Sequence, residues 1–252
     1  MNLYRWMGAA VVALWLGSAG AAEMEKGERL FNHHDLKTTV AIGDYYLKQE
    51  SIVAARDFLR SLGIAQDLGA GWTASNPHWR EAEAAIVAHL MRQVRRDFSS
   101  MEWLSEEWSR MNATEFSEQD LDTLLAHFGT EVGRKQVMIV DHSIAFHVIS
   151  TLTMMGRIQE NLPGAEADRK RMQDLYHDED RDMRFDTDEN PEGNKFALSP
   201  TGKKYFINAV MKVTGMVNQR LSRTAAELPA RIDPAAAEIQ AALQGFRRGG
   251  AS

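Results

Sequence analysis

The sequence predicts an all-α fold, a multi-helix bundle built on antiparallel helical hairpins. Three observations carry the prediction. No stretch of useful length alternates apolar and polar residues as a strand does. Apolar stripes at helical spacing recur along the chain. The segment from Phe116 to Lys135 carries the cap, stripe and turn of a tight αα-hairpin.

In chain order, Met1 to Ala21 reads as a signal peptide: Arg5 is the positive start, Trp6 to Leu16 the apolar run, and Ala19-Gly20-Ala21 the cleavage site. That run is too short to span a membrane, and the reading expects no membrane-length helix later in the chain. No Cys follows the cleavage site to carry a lipid, so an exported, periplasmic and unanchored protein is expected. Glu23 to Leu62 reads as two or three helices, with Leu47, Ile52, Ala55, Phe58, Leu59 and Leu62 inward and Gly63 as a stop. Asp67 to Pro77 is a loop, rich in Gly and ending in Asn-Pro. His78 to Asp97 and Ser99 to Met111 are helical again.

In the hairpin, Ser117 is the N-cap, Asp120 completes a capping box, and Phe116 with Leu121 forms a hydrophobic staple. Leu121, Leu124, Leu125 and Phe128 share one stripe. Gly129 is expected in the left-handed stop conformation, Thr130 as the next N-cap, and Gly133 as a close-packing position. The next helix, from Val137 to Met155, is apolar at nearly every angle and is expected to be covered on most sides. Pro163-Gly164 breaks the chain, Ala165 to Met183 is a charged helix, and Arg184 to Pro200 is an acidic loop. Thr201 to Leu228 is helical, and Pro229 to Pro234 leads to a short helix ending near Phe246, with a disordered tail after it. The domain reading is thus 1–21 signal, 22–228 helical domain, and 229–252 linker, short helix and tail.

The chain has no cysteine, which removes disulfides and thiol chemistry and leaves stability to an apolar core. Removing Arg5 from the 29 basic residues leaves 28 against 35 acidic, a net charge of −7. That charge argues against nucleic acid or an anionic membrane as a partner.

The pattern Phe-Ser-x-x-Asp-Leu followed by Phe-x-Thr-x-x-Gly-Arg-Lys resembles domain-of-unknown-function family two thousand and fifty-nine. The motif of that family reads Phe-Thr-x-x-Glu-Leu, then Phe-Tyr-x-Ser/Thr-Pro-x-Gly-Lys/Arg-Lys. Ser117, Asp120, Leu121, Phe128, Thr130, Gly133, Arg134 and Lys135 agree in type, while His127 replaces a Phe and Glu131 the Pro. The resemblance implies an envelope helical domain without assigned chemistry. The pattern recurs 69 residues on: Phe196, Ser199, Pro200, Gly202, Lys203 and Lys204 echo His127, Thr130, Glu131, Gly133, Arg134 and Lys135, and Phe185 and Glu189 echo Phe116 and Asp120. Repeat halves near 112–160 and 181–228 and a chance echo both account for this.

Asp141 and His142 are the candidate general-base pair. His147, five residues from His142, lies about 140° around the helix and cannot share a metal with it. His33-His34-Asp35 has metal-ligating side chains, but adjacent histidines point in different directions. Asp186, Asp188 and Asn190 have calcium-loop spacing and Glu192 adds an oxygen ligand. Pro191 at the sixth position and Ala197 at the twelfth favour a solvated acidic loop instead. Trp72, Trp79, Trp103 and Trp108 line a ligand or partner groove or anchor helix packing. Arg134 and Lys135, expected on the solvent side, are the place for an anionic ligand or partner.

No nucleophile elbow, phosphate loop, dinucleotide fingerprint or metalloprotease helix occurs, and no cofactor is expected. The expected function is a secreted, non-enzymatic helical module that binds another envelope protein. The alternatives are a carrier of an apolar or aromatic small molecule and an enzyme using Asp141 and His142.

Overall fold

The computed structural model describes residues 20–156 and 191–249, together with the isolated positions 166 and 170. Most of the signal peptide, the break at Pro163-Gly164, nearly all of the charged helix, and Phe185, Asp186, Asp188, Glu189 and Asn190 lie outside the described residues. Among the described residues every regular element is helical. They are α1 (20–31), α2 (Lys37–Ala65), α3 (Pro77–Val94), α4 (Glu102–Glu115), α5 (Glu118–Phe128), α6 (Glu131–Met154), α7 (Pro191–Leu198), α8 (Pro200–Asn208), α9 (Thr214–Glu227) and α10 (Ala237–Gly249). Wider π turns extend α3 over Arg95–Ser99 and join α8 to α9 over Ala209–Val213.

The local chemistry explains the ends. Asn76 caps α3, its side chain accepting the N–H of His78 at 2.9 Å, and Pro77 occupies the first turn, where its missing N–H costs nothing. Ser117 caps α5 in a complete capping box with Asp120. Met101, ahead of α4, takes the left-handed conformation at φ 59°, uncommon for a residue with a Cβ.

Several expectations are corrected. Gly129 has φ −67° and ends α5 in the right-handed region, so the turn needs no left-handed glycine. The acidic loop does not extend to Pro200, because α7 begins at Pro191, a residue suited to a first helical turn. Leu125 is half-buried, whereas Leu121, Leu124 and Phe128 are enclosed. The tail is helical to Gly249. Helix α6 is buried along Val137, Val140, Ile144, Ala145, Val148 and Leu152 but leaves Met138, Phe146 and Met154 exposed. It is also long and apolar enough to cross a membrane by length and composition, although 44% of its most apolar window is buried inside the protein.

The described chain forms two compact units. The first takes residues 20–39, 101–148 and 191–216, with a core of Leu30, Leu104, Trp108, Leu121, Leu124, Phe128, Ile144, Tyr205 and Val213. The second takes residues 40–100, 149–156 and 217–249. There α10 packs on α3, and Trp72 stands 5.5 Å from Trp79 and 5.1 Å from Phe246, its indole N–H donating to the Leu59 carbonyl at 3.0 Å.

Candidate functional site

The most concentrated polar chemistry in the first unit lies inside it. Helix α1 ends in a turn in which the His33 and His34 N–H groups donate to the carbonyls of Leu30 and Phe31. The turn leaves His33 exposed and sends the ring of His34 into the core, with its side chain 0% exposed. His34 Nδ1 donates to Asp141 Oδ1 at 2.5 Å, and the backbone N–H of Asp35 donates to Oδ2 of the same carboxylate at 2.8 Å. The Tyr205 hydroxyl donates to His34 Nε2 at 2.6 Å. The carboxylate sets the tautomer: with the proton on Nδ1, Nε2 is left as an acceptor.

Burial, and then the negative charge of Asp141, push the Tyr205 hydroxyl well above its ordinary pKa, so it stays a donor. Trp108 lies against the imidazole at 4.3 Å between ring centres, and Phe128 and Phe116 flank Tyr205 at 5.0 and 6.1 Å. The alignment of α1 against α4 depends on Gly27, where a Cβ would come within 2.8 Å of the Ser109 backbone. Lys26 ties α1 to α5 through Glu118 and Asp122 at 3.0 and 2.6 Å.

Both oxygens of Asp141 and both ring nitrogens of His34 are therefore engaged, under a closed aromatic cover. The arrangement joins three distant parts of the chain and presents no open base to a substrate. The sequence pairs Asp141 with its neighbour His142, but a one-residue step turns a helical side chain by about 100°. In the structure the carboxylate faces His34 from another helix. His142 is half-buried and His147 exposed. No local signal identifies His34 as the partner, since its 107-residue separation from Asp141 is closed only by the fold. Among the described residues no three His, Asp or Glu side chains gather as a metal site, His33 and Asp35 included.

Around this cluster stand the two echoed turns. Thr130 Oγ1 donates to the His127 carbonyl at 2.7 Å and accepts from Gly133 N–H at 3.0 Å. Ser199 Oγ donates to the Phe196 carbonyl at 2.6 Å and accepts from Gly202 N–H at 3.1 Å. The turns meet face to face, with the rings of His127 and Phe196 stacked at 3.5 Å and 12°. Buried Gln136 joins the first turn to α7, bonding His127 Nε2 at 2.7 Å and donating to the Gly193 carbonyl at 2.8 Å. The Thr201 hydroxyl donates to Asp120 at 2.6 Å, and this bond, together with those from Ser117, holds the Asp120 carboxyl below its usual range.

The remaining candidates are dispersed. Trp108 belongs to the His34 cluster, Trp72 and Trp79 are buried in the second unit, and Trp103 is half-buried on α4. Glu192 is exposed in the first turn of α7. Arg134 and Lys135 are exposed: Arg134 donates to the Gly129 carbonyl at 2.9 Å, and Lys135 pairs with Glu131 at 3.2 Å. Beside Arg134 opens a pocket of about 420 Å³ lined by Arg29, Asn32, His33, Leu125 and Gly129. In the second unit, a pocket of about 110 Å³ among Ile86, His89, Arg92, Asp233, Glu238 and Ile239 is smaller than the roughly 150 Å³ that admits benzene. Comparison with protein-family models, with curated proteins and with solved structures finds no match for this chain.

Proposed function

We propose that the protein is an exported, non-enzymatic helical module of the bacterial envelope that works by binding another protein. The observation that carries this reading is a set of large apolar side chains left in solvent on the first unit: Met138, Phe146, Leu198, Ile207 and Met211 are between 42% and 79% exposed. Single exposed apolar residues are ordinary, but five on one small unit, two of them neighbours along a helix, give it apolar groups to offer a partner. Ile207 and Met211 lie one turn apart. The closed His34–Asp141–Tyr205 cluster supports a structural use of the polar core. The basic start, apolar run and small-residue site within residues 1–21 support export, and the resemblance over Phe116 to Lys135 supports an envelope setting.

Gentle cross-linking in envelope extracts tests the reading. Wild type is expected to give a discrete heterologous adduct, and the double variant Ile207→Asn, Met211→Asn is expected to lose it while melting like wild type. A protein that runs alone across growth conditions, or an adduct indifferent to the double variant, would sink the proposal.

A further inference from the structure

The pocket beside the first echoed turn is lined by Arg29 and His33, in a chain of net charge −6. Helix α1 places Arg29 in its last turn and His33 just beyond its end, and both line the pocket with Asn32. Arg134 donates to the carbonyl of Gly129, a residue of the pocket wall. No carboxylate lines the pocket. Burial lowers the proton affinity of His33, and so do the neighbouring side chains of His34, Arg134 and Arg29. A helix C-terminus ordinarily repels anions, but here the N–H groups of Asn32, His33 and His34 already occupy the carbonyls of Glu28, Leu30 and Phe31. The pocket is open to solvent, and its volume of about 420 Å³ exceeds what a bare phosphate fills. Half-buried Leu125 gives one apolar wall.

We propose that this pocket binds the phosphate or carboxylate head of a small organic anion, Arg29 meeting the charge, His33 donating a ring N–H to it and Leu125 meeting the organic body. Arg29 supplies the planar fork that pairs two oxygens at once. The site uses none of the exposed apolar residues assigned to partner binding, so either proposal can fail without the other.

The test titrates the full chain with phenyl phosphate and, separately, with benzoate, following the histidine ring signals by NMR. Saturable binding of at least one probe is expected, with the signal that disappears in His33→Gln moving in wild type. Arg29→Gln and His33→Gln should each weaken binding about tenfold, the worth of one charge-assisted hydrogen bond. Binding of phenyl phosphate alone assigns a phosphoryl ligand, benzoate alone a carboxylate, and both a shared anion site, and each supports the proposal. Failure of both probes to saturate overturns it, as does equal binding by wild type and both variants. Should one variant unfold, the other and the wild-type His33 signal still decide.

Discussion

The turn at His127 to Gly133 and the turn at Phe196 to Gly202 have the same local construction and different surroundings. In each, a hydroxyl bridges a carbonyl three residues back and an N–H three residues on, at distances matching within 0.1 Å. In each, a Cβ on the glycine would stand 2.0 or 2.1 Å from the carbonyl oxygen that opens the turn. The chain beyond the two turns is built differently. Helix α6 continues as uninterrupted α-helix, whereas α8 passes through a π turn at Ala209–Val213. Phe128, fully buried, has half-buried Ala197 as its counterpart, and Gln136 has Tyr205. One local solution, written twice, thus supports two unequal interiors: Gln136 joins the first turn to α7, and Tyr205 closes the His34 cluster.

The largest effect is expected from making the first turn imitate the second. Phe128→Ala should cost about 3–5 kcal/mol, because a fully buried ring packed on Tyr205 leaves a cavity behind. Urea unfolding measures it, and a loss below about 1 kcal/mol would mean that the interiors tolerate exchange after all.

Next in size are the glycines. Alanine inside a helix normally gains up to about 1 kcal/mol over glycine. Gly133→Ala and Gly202→Ala should instead each lose about 1–3 kcal/mol, since the added methyl meets backbone that cannot move aside. Thermal melts showing similar losses support the equivalence of the turns, while a neutral result at either one ends it.

The smallest effect distinguishes the interiors chemically. Tyr205→Phe should cost about 1–2 kcal/mol at neutral pH by leaving His34 Nε2 without its donor. The folded-state pKa of Tyr205 is raised above the value of about 10 in the unfolded chain, so its protonation is neutral to stability below pH 10. Above that, the unfolded chain releases the proton first and stability falls as pH rises toward the higher folded value. Stability–pH curves should therefore show an alkaline loss that is shallower in Tyr205→Phe. Parallel curves would remove the buried hydroxyl from the account.

Legibility in the sequence tracks the range of the interaction. Ser117, Asp120, Thr130 and Gly133 act within a few residues, and each takes the local role expected of it. The missed α7 has a local cause too: Pro191 and the acidic residues before it look like loop, yet proline also begins helices. The apolar pattern of α6 specifies a helix, but hydrophobicity all round does not say which side finds a partner, and Met138 and Phe146 are left in solvent.

Caps and stripes depend on neighbours within a turn or two. The order of residues alone therefore dictates that the chain is helical, where α3 and α5 begin, and that two turns share one hydroxyl-and-glycine construction. Packing of the helices was needed to bring His34 and not His142 to Asp141, to complete the pair with Tyr205, and to set Arg29 and His33 around one pocket with Leu125. The physical reason is distance along the chain. Contacts spanning 107 and 171 residues are set by how helices pack, and no short spacing in the sequence encodes them.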